Sequence, residues 1–208
     1  MKIVDLSHEI TDGMSVFPGD PECAVETAHN YENGYFVSKL TMNTHTGTHL
    51  DAPAHKIKGG RSVTDFDLDA FCAERAFALD CRGLSGEVDA AFLKAHEDQI
   101  KGCRAVLLCS GWSSKWGSDA FFEGFPGLNE DAAKALKEMG VRMIGLESPS
   151  VNPERHTSVH QALLGEEIIV VEALCGVEAL LGKPFSFFAA PLRLTGRDGS
   201  PVRAFAIL

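Results

Sequence analysis

Residues 45–55 read H-T-G-T-H-L-D-A-P-A-H, and no other stretch restricts the fold of this chain so tightly. Within these eleven residues fall three of the eight histidines and one aspartate, all at odd positions: His45, His49, Asp51 and His55. A helix accounts for them badly. It would bring positions 45 and 49 together but turn 51 away, and Gly47 and Pro53 are poor helix-interior residues. A straight strand puts every odd residue on one face, yet holds His45 and His49 about 13 Å apart at Cα. The segment therefore has to bend. Gly47 supplies the permissive backbone, and Thr46 and Thr48 are small, with hydroxyls able to bond to groups behind the histidines.

Imidazole nitrogen and carboxylate oxygen are the ligands that borderline divalent metals such as zinc and manganese accept, at about 2.0–2.2 Å for zinc. Any single histidine here is explained as well by a polar loop that packs or hydrogen-bonds it. The four groups together point instead to a loop folded around a cation. The helical His-Glu-x-x-His pattern of metalloproteases is absent, so the pattern suggests metal-assisted hydrolysis of another kind.

The rest of the chain predicts an α/β fold, one domain over 1–208, with a mixed sheet and crossover helices. Imperfect alternation over 35–42 predicts a strand leading into the histidine segment. Apolar runs at 76–79, 105–109, 143–146 and 168–171 suit strands buried on both faces. Helical composition marks 88–95 and 129–139, the second with Asn129 as N-cap and Gly140 as its stop. A third short helix is expected over 174–181, and two terminal strands, 187–194 and 202–208, around a Gly-Arg-Asp-Gly-Ser-Pro turn. Ser110, Glu147 and Glu172 each follow an apolar run, so parallel strands would deliver all three to one carboxyl edge, where α/β sheets bind ligands.

A net charge of −10 and the lack of any basic block argue against nucleic-acid binding. The six cysteines form no C-x-x-C pair and read as reduced, mostly buried thiols. Asp5 interrupts what would be the apolar core of a signal peptide, and no stretch approaches membrane-spanning length, so a cytoplasmic protein without membrane association is expected. On the residues alone, Glu172 reads equally as a helix N-terminal acid and His160 as an ordinary loop histidine. Trp112 reads as a core or interface aromatic, and His8, His29, His96 and His156 as solvent-exposed or locally bonded.

The segment resembles the H-x-G-T-H-x-D-x-P-x-H signature of the cyclase-family hydrolases, matching every specified position. Asp5-Leu-Ser-His8, Phe17-Pro-Gly-Asp20, Pro149-Ser-Val, His160-Gln-Ala-Leu-Leu and Gly199-Ser-Pro-Val-Arg203 extend the likeness to the C-terminus. The resemblance implies a swivelling β/β/α-type fold and assembly into a homodimer or larger homo-oligomer. It implies that His45, His49 and Asp51 bind one metal, Asp51 bridging to a second held by His160 and Glu172. It assigns proton transfer to His55 and substrate contact to Phe17. The cofactor implied is two zinc ions per subunit, with manganese as the alternative.

Since the family includes bacterial kynurenine formamidases and isatin hydrolases, the implied substrate is a small aromatic amide, first of all N-formylkynurenine. Cyclic amide hydrolysis as in isatin hydrolases, a cyclase or dehydratase reaction, and a non-catalytic metal-binding module are the alternatives. Against the formamidase pattern this chain departs at Glu147, Asn152, Gln161 and Ala173, none of them an implied ligand.

Overall fold

The computed structural model describes residues 1–84 and 86–208. Four short strands come first: β1 (Ile3–Asp5), β2 (Ala24–His29), β3 (Val37–Thr41) and β4 (His49–Asp51). The long β5 (Cys72–Asp80) precedes helices α1 (Ala90–Ala95) and α2 (Glu97–Ile100). Strands and helices then alternate as β6 (Ala105–Cys109), α3 (Glu130–Glu138), β7 (Met143–Leu146), α4 (His156–Gly165) and β8 (Ile169–Glu172). Three strands close the chain: β9 (Phe185–Phe188), β10 (Gly199–Pro201) and β11 (Phe205–Ile207). The fold is mixed α/β, as expected.

Nine of these strands form one sheet in the order β1-β11-β9-β5-β6-β7-β8-β4-β10. Its centre, β5 to β8, is parallel, and the flanking strands pair antiparallel. The parallel strands bury both faces, which is why they are continuous apolar runs. In β6, Val106 and Leu108 share a core cluster with Ala132 and Leu136 of α3 and Val159 and Leu163 of α4. Leu107 and Cys109 turn the other way, toward Leu6, Leu50 and Phe187. Helix α3 starts as its sequence predicts, Asn129 Oδ1 accepting from Ala132 N at 3.2 Å, with Glu130 and Asp131 in the first turn.

Three expectations need correction. No helix spans 174–181: Ala173 and Gly176 are left-handed (φ 52° and 67°), Leu174 bridges to Ser7, and only a 3₁₀ turn, Val177–Leu180, follows. The third main helix is α4, where His160 was read as a loop residue. The supposed terminal turn contains β10, which leaves β9 and β11 to pair with β4 at the opposite edge of the sheet. Only glycine fits at 199, because a Cβ there would meet Leu50 O at 2.7 Å. The strand expected over 35–42 exists as β3, but it pairs with β2 alone in an exposed ribbon.

What positions the site is the register of β4. Antiparallel pairing sets His49 opposite Glu172 and Leu50 opposite Val171. With a side-chain period of two, His49 and Asp51 share the face of Glu172, while Leu50 and Val171 enter the core behind. That first face is also the one on which α4 packs, through Val170, Val159 and Leu163. All six cysteines are free, and no helix among the described residues is long and apolar enough to cross a membrane.

Candidate metal centre

The bend demanded by the sequence is present, with Gly47 at φ 65°. The threonine hydroxyls brace this loop: Thr46 Oγ1 donates to Asn43 Oδ1 at 3.0 Å and Thr48 Oγ1 to Ala173 O at 2.6 Å. Two of the histidines are oriented by backbone instead. His49 Nδ1 lies 2.8 Å from Gly47 O and His160 Nδ1 2.7 Å from His156 O. A carbonyl only accepts, so each Nδ1 carries a proton and each Nε2 faces inward.

Those inward nitrogens converge on two buried carboxylates. His160 Nε2 is 3.1 Å from both Asp51 Oδ2 and Glu172 Oε1, and His49 Nε2 is 3.3 Å from Glu172 Oε2. His45 Nδ1 approaches Asp51 Oδ1 to 2.7 Å. His55 stacks obliquely on His45, ring centroids 4.2 Å apart, and sits 5.3 Å from His160. Ligand atoms within 4.8 Å of one another fall into two sets, His45–Asp51–His55 and His49–Asp51–Glu172. Asp51 belongs to both sets, where a bridging carboxylate would be. The six chemistry-bearing residues singled out in sequence are thus in one place, although His49 groups with Glu172 rather than with His45, and His55 lies within ligand reach.

Asp51 is completely buried, and its Oδ1 makes no hydrogen bond: His45 Nδ1 is close but does not meet hydrogen-bond geometry. A buried, unsatisfied carboxylate oxygen is costly. Nitrogen and oxygen donors gathered around it fit a divalent cation of the zinc or manganese type.

The electrostatics agree. Burial works against the charge on His45 and His160, yet the neighbouring carboxylates outweigh it and hold both imidazoles up to about 10. Burial likewise opposes ionisation of Asp51 and Glu172, but the imidazoles beside them keep both below the ordinary carboxylate value. Protons on the imidazoles thus balance the carboxylates, and a cation would displace them. His55 differs, since burial pushes it below 6.5 and leaves it neutral at pH 7.

Above this floor opens a cavity of about 340 Å³. Its lining includes Phe17, Pro149 and His156, together with the charged Asp20 and Lys56. Phe17 meets Phe122 edge-on at 6.1 Å and lies 6.5 Å from His156. Trp116 and Phe121 line the adjoining recess beside His45 and Gly47. A roomier cavity of about 470 Å³, at Ser110, Trp112 and Asn152, contains no cluster of metal-ligating groups among the described residues.

Several of these residues escaped the sequence reading. His156 follows from the helical spacing it shares with His160, four residues on. Trp116 and Lys56 carry no local signal. Asp198, hidden in an apparent turn, places Oδ2 2.7 Å from His45 Nε2 and 3.5 Å from His55 Nδ1. Trp112 is structural, its Nε1 donating to Phe121 O at 2.8 Å. The departures at 152, 161 and 173 leave the donor set untouched: Asn152 Oδ1 accepts from Glu154 N and Arg155 N ahead of α4, Gln161 is exposed, and Ala173 shapes the turn after β8.

The cyclase family model matches residues 4–153. The chain belongs to the cyclase family. A kynurenine formamidase of Bacillus mycoides is 32% identical over 205 residues, 97% of this chain and 95% of the relative. A solved structure described as a potential metal-dependent hydrolase with cyclase activity is 28% identical, with TM-score 0.81, covering 99% of this chain and 96% of that one. Isatin hydrolase A from Labrenzia aggregata, bound to benzyl benzoate, shares the fold at TM-score 0.86 and 24% identity, over 100% of this chain and 93% of its own. This cyclase-family protein is a metal-dependent hydrolase.

Proposed function

We propose that this enzyme hydrolyses the N-formyl group of an aromatic amide, N-formylkynurenine, to kynurenine and formate, using two zinc ions, with manganese as the alternative. The observation that carries the reading is the cavity itself, lined by imidazole and carboxylate donors, by Phe17 and by the opposite charges of Asp20 and Lys56. Curated relatives that cover nearly the whole chain are named kynurenine formamidase, which favours this substrate over a cyclic amide.

His45, His49, Asp51, His160 and Glu172 would hold the ions, with Asp51 bridging. Bound there, divalent cations lower the pKa of water toward 7 and polarise a carbonyl, the requirements for attack on an amide. His55, neutral and beside this cluster, takes the proton from the attacking water and returns it to the leaving aniline nitrogen. Phe17 packs against the aryl ring. Lys56 and Asp20 enter no ion pair among the described residues, and an ammonium with a carboxylate in that lining suits the amino-acid end of such a substrate. Assembly into a homo-oligomer belongs to the same reading and is tested by the mass of the metal-loaded protein in solution.

Purified, metal-replete protein assayed side by side on N-formylkynurenine and isatin tests the substrate, with chelator-treated protein as control. Chelator-sensitive release of formate from N-formylkynurenine is the expected result. Turnover of isatin alone would transfer the assignment to cyclic amides, and no turnover of either would remove both.

A further inference from the structure

We infer that Asp198 is a positioning residue whose one carboxylate oxygen holds two imidazoles at once, His45 on the metal side and His55 on the proton-transfer side. The inference rests on the roles given to those histidines above, but not on the identity of the substrate.

The three imidazoles nearest Asp51 are oriented differently. His49 and His160 direct their outer nitrogens at backbone carbonyls of Gly47 and His156. His45 alone ends on a carboxylate, with Asp198 Oδ2 2.7 Å from its Nε2. A carboxylate behind a ligating imidazole fixes its tautomer and raises its basicity more than a neutral acceptor does. With Nδ1 turned toward Asp51, His45 must carry its proton on Nε2 to ligate, and Asp198 is the group that accepts it.

The same oxygen faces His55. Its Nδ1 lies 3.5 Å from Oδ2, a long contact, but Asp198 is the only carboxylate within salt-bridge distance of that ring among the described residues. A proton on Nδ1 leaves Nε2 as the basic nitrogen. Asp198 thereby selects which nitrogen of His55 receives the proton of the attacking water.

Asp198 is itself stitched to the metal-binding segment. Its Oδ1 accepts from Thr44 Oγ1 at 3.2 Å, and its backbone oxygen accepts from Ala52 N at 2.8 Å. The following residue makes this approach possible, because a Cβ on Gly199 would stand 2.9 Å from His45 Cε1. The His45 ring therefore lies directly on the start of β10, with Asp198 at its edge. A turn residue that merely began β10 would need the backbone bond to Ala52 and nothing from its carboxylate.

Asp198→Ala and the isosteric Asp198→Asn test this without any substrate. Zinc affinity is read by competition against a chromophoric chelator, and imidazole tautomers by nitrogen-15 correlation spectra of the zinc-saturated protein. Wild-type protein should show His55 protonated on Nδ1; both variants should bind zinc about 10–100-fold more weakly and lose that tautomer preference. Zinc affinity unchanged within twofold, or an unchanged His55 tautomer at full loading, overturns the inference. Because neither readout involves turnover, failure of the formamidase assignment and failure of this one are separate results.

Discussion

Two buried glutamates end neighbouring parallel strands of this protein, and their surroundings could hardly differ more. Glu147, just after β7, accepts from Ser110 N at 2.7 Å, Gly111 N at 2.6 Å and Ser113 Oγ at 3.1 Å. Its charge is spread over donors that have no other task, and the loop after β6 is folded around it. Among the described residues Glu172, at the end of β8, meets only imidazole nitrogens, and its partner Asp51 keeps an oxygen with no hydrogen bond. The first carboxylate is satisfied by the chain. The second pair needs something the chain does not contain. Burial alone therefore says little about a carboxylate's role; what decides it is whether donors already saturate it.

The largest effect expected from this contrast is at Asp51. Asp51→Asn removes the bridging charge, so stoichiometric metal and hydrolysis should both fall to background, as metal analysis and assay of one preparation would show. His55→Ala comes next. If His55 moves protons, the variant keeps its metal while kcat falls by about 10²–10⁴-fold. Loss of metal from that variant would make His55 a ligand, a role its grouping with His45 and Asp51 permits geometrically.

Glu147→Gln should invert the outcome. It turns charge-assisted bonds into neutral ones and sets an amide against donors, at a cost of about 2–3 kcal/mol in folding stability. Denaturant melts should show that loss while metal content stays at the wild-type level. A Glu147→Gln protein that folds normally but loses metal would erase the distinction.

An exposed carboxylate marks the lower end of the scale. Asp5 binds Arg203 Nε at 2.9 Å, which holds its pKa below 3.8. A depressed folded-state pKa contributes stability above 3.8 that disappears as pH falls through the folded value. Asp5→Asn should thus reduce folding stability at pH 7 by less than about 1 kcal/mol, a difference from wild type that denaturant melts should show shrinking as pH falls below 3.8.

How much of this was legible in sequence follows from what signals are local. The segment from His45 to His55 concentrates its ligands in one bend, and the apolar runs of β6, β7 and β8 declare strands buried on both faces. Helix α4 was missed although Val159, Ala162 and Leu163 have helical spacing, because no side chain caps it and Pro149 and Pro153 precede it. Strands β4 and β10 are three residues each, too short for alternation to show. Pairing of β4 with β8 places His49 opposite Glu172, pairing of β10 with β4 brings Asp198 behind His45, and register between distant segments leaves no trace in a single sequence.

Everything proposed for this protein requires the carboxylates and imidazoles around Asp51 to be a cation site. Stripping the protein with chelator, reloading it with zinc and measuring bound metal per chain alongside the melting temperature tests this most directly. Two ions should be retained per chain after desalting, and reloading should raise the melting temperature. A protein that keeps no metal and melts at the same temperature with or without zinc would contradict a cation site there.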